Sequence, residues 1–166
     1  MALGDYTAWL RGRVGTALIV MPSVSAVVRD DAGRLLLQLH AETDAWGLPG
    51  GAVEPEEHPV DAIVREVREE TGLEIGVERL VGVYGGPDST VVYRNGDRTS
   101  YVRTSYLARV VGGTLVPDER ESLELRWVAF AEWRALVDRP IVRRILEDAE
   151  QALAERPAAT RPRPEA

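Results

Sequence analysis

The sequence predicts a single α/β domain, one mixed sheet with helices on both faces. Three observations lead there. Segments of alternating apolar residues interleave with segments of helical period instead of separating into blocks. A chain of 166 residues suits one domain with a real core, and neither a repeat nor a linker divides it. The balance of 45% apolar and 28% charged residues is that of an ordinary globular protein.

Each element has a local reason. Residues 1–16 form a helical extension: Asp5 can cap a short helix in which Tyr6, Trp9 and Leu10 share a face, and Gly12 and Gly15 limit its length. Residues 24–29 and 35–39 read as strands joined through Asp31-Ala32-Gly33, a hairpin. A loop centred on residues 46–51 leads to a helix over residues 59–71. Pro59 suits its first position and Gly72 the left-handed residue after its end. Residues 75–84 read as a strand, and residues 90–93 and 99–110 as a hairpin across Asn95-Gly96. Residues 125–130 are the last strand. Residues 132–137 and 141–154 are helical, the second with an apolar stripe of Ile141, Ile145, Leu146, Ala149 and Leu153. The domain proper is residues 17–155, and the Pro-, Ala- and Arg-rich residues 156–166 are expected to be a disordered tail.

Composition removes whole classes of chemistry. There are no cysteines and two histidines, His40 and His58, so disulfides, thiolate sites and His-rich zinc sites are excluded. Any metal here is held by oxygen, which favours magnesium, manganese or calcium. All 20 basic residues are arginine, which removes Schiff-base chemistry and a P-loop lysine. A net charge of −7 argues against binding polymeric nucleic acid. No run is apolar enough to span a membrane and no signal-peptide pattern opens the chain, so the expected location is the cytoplasm.

The helix over residues 59–71 carries a contradiction. Val60, Ile63, Val64 and Val67 make an apolar stripe, while Glu66, Glu69 and Glu70 fall at i, i+3 and i+4 on another face. Like charges at that spacing repel, and they sit at the helix end where the macrodipole disfavours anions. A divalent cation is the natural compensating partner. Gly50 and Gly51, after Pro49, let the backbone come close to the same place. Arg65 precedes Glu66 and stands one turn before Glu69, where ion pairing can fix a glutamate rotamer.

The pattern as a whole is more specific than its parts. Gly51, Glu57, Arg65-Glu66, the aliphatic Val67, Glu69-Glu70, Gly72 and the aliphatic Leu73 stand at the spacing of the Nudix box. Such a match arises by chance on the order of once in a million chains of ordinary composition. The chain therefore resembles the Nudix hydrolases, and the strand order over residues 20–135 resembles their fold. The resemblance implies an α/β/α sandwich around a mixed, curved sheet. It also implies a magnesium-dependent pyrophosphohydrolase, with manganese as a substitute, cleaving a small nucleotide by water attack on phosphorus.

Carried over, Glu66, Glu69 and Glu70 become metal ligands with the Gly50 carbonyl. Glu57 supports the site through Arg65 or water, and Arg65 orients a glutamate. Two sources of the general base stay open, a glutamate within the box (Glu66 or Glu69) and a loop carboxylate. Glu121 resembles the latter and is nominated as a fourth ligand or base. Gly51, His40 and Arg103 are nominated for substrate; His40 stands where many relatives have arginine and would make binding sensitive to pH near neutrality. Within the family, a (deoxy)nucleoside triphosphate competes with ADP-ribose or a nucleotide sugar; Pro87, fifteen residues after Gly72, favours the latter. A noncatalytic nucleotide sensor is the other class, and an intact box argues against it. The expected assembly is a monomer or homodimer.

Overall fold

A computed structural model describes residues 3–155; the tail expected to be disordered lies outside the described residues. Helix α1 spans Leu3–Val14. Strands follow at Leu18–Arg29 (β1), Leu35–His40 (β2) and Ala45–Gly47 (β3). Helix α2 is Pro59–Thr71, then β4 Leu73–Tyr84, β5 Thr90–Val92, β6 Arg98–Gly113 and β7 Ser122–Val128, and α3 Pro140–Ala154 closes the order. Among the described residues these make one seven-stranded sheet running β3-β2-β1-β6-β4, with β5 added to β6 and β7 to β2. The pairing of β1 with β6 is parallel and the others are antiparallel, so the sheet is mixed as expected.

Alternation along β1 and β2 divides the interior into two cores. Val24, Ala26, Val28 and Leu36 pack with Ala62, Ile63 and Val67 of α2. Val27, Leu35 and Leu37 face the other way, against Trp133 and Ile141, Ile145 and Leu146 of α3. Each helix thus covers one face, which is the predicted layering.

The structure corrects four local expectations. Asp5 lies inside α1, whose first described residue is Leu3, so it does not precede the helix. The β1–β2 turn forms, with Gly33 at φ 74 and Asp30 bonded to the Arg34 backbone, but the strands pair at Arg29–Leu35 alone. Beyond that point the loop before α2 takes the edge of β1. Val24 N–H donates to the Gly51 carbonyl at 2.8 Å and Ala26 N–H to the Pro49 carbonyl at 3.0 Å. The expected helix over residues 132–137 is only a 3-10 turn at Trp133–Ala135, because Trp133 is drawn wholly into the α3 core. The Asn95-Gly96 turn is wider than a two-residue hairpin. The last pair is Val92–Arg98, and Tyr93 N–H closes the loop on the Asp97 carbonyl at 2.9 Å.

Candidate functional site

Helix α2 is anchored at both ends as its sequence demands. Val60 N–H donates to the His58 imidazole at 3.2 Å, so His58 fills the capping place usually held by Ser, Thr, Asp or Asn. At the other end Gly72 takes φ 71 and its N–H donates to the Arg68 carbonyl. These ends set which way the glutamates face. Glu66 and Glu70, one turn apart, turn inward and keep 5% and 4% of their surface, whereas the Glu69 side chain stays 59% exposed. The single acidic face expected from spacing is therefore two buried carboxylates and one outer one.

The glycine loop fits around the buried pair. Gly50 N–H donates to Glu70 Oε2 at 2.8 Å. Gly50 has φ 143, and a β-carbon there would lie 2.2 Å from the Val24 carbonyl oxygen. A β-carbon on Gly51 would lie 2.6 Å from the Glu66 carboxylate. Each position therefore needs glycine for a different reason, backbone conformation at the first and room for a carboxylate at the second. Among the described residues no backbone N–H bonds the Gly50 carbonyl, although the carbonyls on either side of it are used by β1.

Arg65 is the hub of the outer half. It donates to both oxygens of Glu57 at 2.8 Å, to Glu66 Oε1 at 2.8 Å, to Glu69 Oε2 at 3.0 Å and to the Ala52 carbonyl at 3.3 Å. Glu57 also accepts from its near neighbour, the Glu54 N–H, at 3.0 Å. Glu57 and Arg65 are thus ion-paired through both carboxylate oxygens, and the Arg65 bonds hold the Glu57 carboxyl below its usual range.

Inside, the balance reverses. Burial pushes the Glu70 carboxyl up to about 8 against the opposing Gly50 bond, and Glu66 and Glu121 add to the rise. Burial likewise pushes Glu66 up to about 7, reinforced by Glu69 and Glu121 and opposed by Arg65. Glu121 joins this cluster from far along the chain. Ala41 N–H bonds its carbonyl, its own N–H bonds the Asp118 carbonyl, and Asp118 N–H bonds the Glu70 carbonyl. Burial and Asp118 raise its carboxyl too. Among the described residues no group of three His, Asp or Glu side chains is already arranged to hold a metal ion, and Glu69, bonded to Arg65, lies outward.

A cleft of about 600 Å³ opens beside the loop, on the α3 side of the sheet. Gly50, Gly51, Glu70 and Glu121 line one part of it; His40, Arg103 and Arg139 line another. His40 is pressed against Gly47, where a β-carbon would lie 2.7 Å from Nε2. Burial, with Arg103 and Arg139, pushes its imidazole down to about 4, so the expected titration near neutrality is corrected: His40 is neutral there. Burial and Arg139 also lower Arg103.

Sequence reasoning missed three contributors. Arg139, just before α3, carries no local motif. Tyr93 is the second: its hydroxyl bonds that of Tyr101 across the β5–β6 hairpin, where Tyr101, itself a strand candidate with Arg103 in the sequence, shares a face with Arg103. Thr7 and Arg11 of α1 reach the cleft, Arg11 donating to the Arg98 carbonyl at 2.8 Å and Thr99 Oγ1 at 2.7 Å. Pro87 begins a 3-10 turn and is not among the residues lining the cleft.

The chain is similar to several known proteins. A family model described as the NUDIX domain matches residues 20–149. A MutT-like protein of Streptomyces ambofaciens is 39% identical over 100 residues, 58% of this chain and 64% of its own. A putative 8-oxo-dGTP diphosphatase of Bacillus subtilis (strain 168) is 29% identical over 103 residues, 62% of each chain. The match thus spans less than two thirds of either relative. The solved structure of a NUDIX hydrolase from Nitrosomonas europaea superposes with a TM-score of 0.63 at 28% identity, covering 81% of this chain and 90% of that one. The family match takes in both sheet cores and the glycine loop packed on α2, and by that extent the chain belongs to the Nudix hydrolase family.

Proposed function

We propose that this protein is a magnesium-dependent pyrophosphohydrolase that cleaves a diphosphate linkage in a (deoxy)nucleoside triphosphate or related nucleoside diphosphate derivative. One observation carries the reading: Glu66 and Glu70 are buried together against a loop that only glycine can form, with Glu121 brought beside them. Buried carboxylates this close resist ionisation unless a cation joins them. An all-oxygen donor set in that condition fits a hard divalent cation. Glu66, Glu69, Glu70, Glu121 and the Gly50 carbonyl would hold it, magnesium foremost and manganese in its place. When bound, such a cation neutralises phosphate charge and makes water a better nucleophile at neutral pH.

The chain's own groups supply the rest. Arg65 is a positioning residue: it fixes the Glu66 carboxylate and retains Glu57 as an anchor. Gly51 leaves the loop low enough for phosphate to approach. Arg103 faces the cleft as a phosphate donor, and neutral His40 offers a hydrogen bond without adding charge. In the reaction, water oxygen bonds to phosphorus and the bridging oxygen leaves with its electron pair. The water's proton passes to a carboxylate, for which Glu66, Glu69 and Glu121 are the candidates.

The relative from Bacillus subtilis described as a putative 8-oxo-dGTP diphosphatase supports a triphosphate substrate. The test is incubation with magnesium and nucleoside triphosphates, oxidised deoxynucleoside triphosphates, ADP-ribose and nucleotide sugars, with products resolved by chromatography. Nucleoside monophosphate and pyrophosphate are expected from the triphosphates. Binding without turnover of any of them would identify a nucleotide sensor and overturn the proposal.

A further inference from the structure

Seven of the described arginines pair with a carboxylate, and the two at the α3 end of the cleft do not. Arg11, Arg29, Arg34, Arg65, Arg109, Arg126 and Arg134 each stand within 4.0 Å of a carboxylate. Arg103 and Arg139 line the cleft, and neither has such a partner among the described residues. Arg103 Nε is sealed from solvent with no hydrogen-bond partner. A sealed guanidinium nitrogen left without a partner, beside a second guanidinium, is costly. Tyr101, Tyr93 and Glu70 offset only part of the effect of burial and of Arg139, and Arg103 is lowered on balance, while the Tyr93 and Tyr101 hydroxyls bond each other.

Register locates the pair relative to the carboxylates. Arg103 of β6 stands opposite Ser23 of β1, and Ser23 bridges Ala52 of the glycine loop. The Arg103 backbone is therefore about 10 Å from that loop, two strand spacings away. Arg139 comes from the start of α3, on the side away from α2. Arg103 and Arg139 line the same cleft as Gly50, Gly51, Glu70 and Glu121.

We propose that Arg139, with Arg103, forms an anion subsite for the phosphoryl group beyond the scissile diphosphate, which makes nucleoside triphosphates the favoured substrate class over two-phosphate nucleotide sugars. The inference rests on the pyrophosphohydrolase reading above and names the substrate class within it. Arg103 bridges toward the scissile linkage, and Arg139 holds the terminal phosphate, where losing a charge-assisted contact acts on binding more than on the chemical step.

The test has two arms. In the first, wild-type and Arg139→Gln proteins are assayed with magnesium on dGTP, ADP-ribose and UDP-glucose. Arg139→Gln is expected to raise KM for dGTP about tenfold or more, as loss of one charged hydrogen bond does. Its kcat, and KM for the two-phosphate compounds, should stay within about threefold. In the second arm, with chelator present, calorimetry compares tripolyphosphate with pyrophosphate. Wild type should prefer tripolyphosphate, and Arg139→Gln should lose the preference. Equal KM losses on every compound would mean the arginines grip the scissile phosphates themselves and would overturn the subsite, as would an unchanged KM for dGTP. No turnover of any compound, together with a tripolyphosphate preference that Arg139→Gln abolishes, would instead sink the hydrolase reading and leave the subsite standing.

Discussion

The two ends of the cleft are built on opposite plans. At the α2 end, acids crowd together, held by the glycine loop and the Arg65 hub of α2, with Glu121 added from the segment before β7. At the α3 end, basic groups lacking acid partners are gathered from β6 and the start of α3. Burial pushes the Glu70 carboxyl up at one end and Arg103 down at the other, so each end resists carrying its charge. A metal–phosphate ligand laid across both would complete each. The difference teaches that, if the proposed reading holds, polarity along the cleft and not either cluster alone would orient a substrate.

The largest effects should come from the α2 end. Glu69→Gln and Glu70→Gln should each lower turnover about a hundredfold or more, the scale expected when groups that stabilise transition-state charge are removed. Circular dichroism should show the fold intact. Near-wild-type rates in both would break the comparison there. Gly50→Ala and Gly51→Ala should separate architecture from chemistry. The first places a β-carbon against the Val24 carbonyl at φ 143 and should cost about 2 kcal/mol or more in denaturant unfolding. The second displaces the Glu66 carboxylate, so activity should fall further than stability.

A subtler effect follows from the raised carboxyls. Glu66 and Glu70 sit at about 7 and about 8 in the folded chain, above their unfolded values near 4.5. The folded state therefore holds protons that the unfolded state has released, so their contribution is fully present below about 4.5 and lost as pH rises through about 8. Metal-free protein should melt a few degrees lower at pH 8 than at pH 5.5, on the order set by the entropy of unfolding a domain this size. Glu70→Gln should flatten that slope. A melting temperature that climbs over the same range in metal-free wild type would contradict the burial of the pair. The smallest effect belongs to the arginine end. NMR titration of His40 should show no protonation until pH falls below about 5, because burial and two arginines hold it near 4. A midpoint near 6.5 would mean that neither burial nor the two arginines act on His40.

Legibility divides along the same line. Helix α2, its Pro59 start and its Gly72 stop were readable, because capping and helical period are local. The β5–β6 hairpin and the two-faced sheet were readable from turn chemistry and alternation. Spacing did not reveal that Glu66 and Glu70 are buried while Glu69 stays out, since only packing against the glycine loop decides that. Nor was the splaying of β1 from β2 local: the loop before α2 competes for the β1 edge, a contact made across more than twenty residues. Arg139 was invisible for the same reason, its meaning arising only where α3 meets β6.

The most direct test of the central claim is a Mn²⁺ titration of wild-type and Glu70→Gln proteins followed by electron paramagnetic resonance. Wild type should bind the ion with a saturable site, and Glu70→Gln should weaken that binding about tenfold or more, as loss of one ligand does. Equal affinity in the two proteins would contradict the assignment of the buried carboxylates as the metal centre.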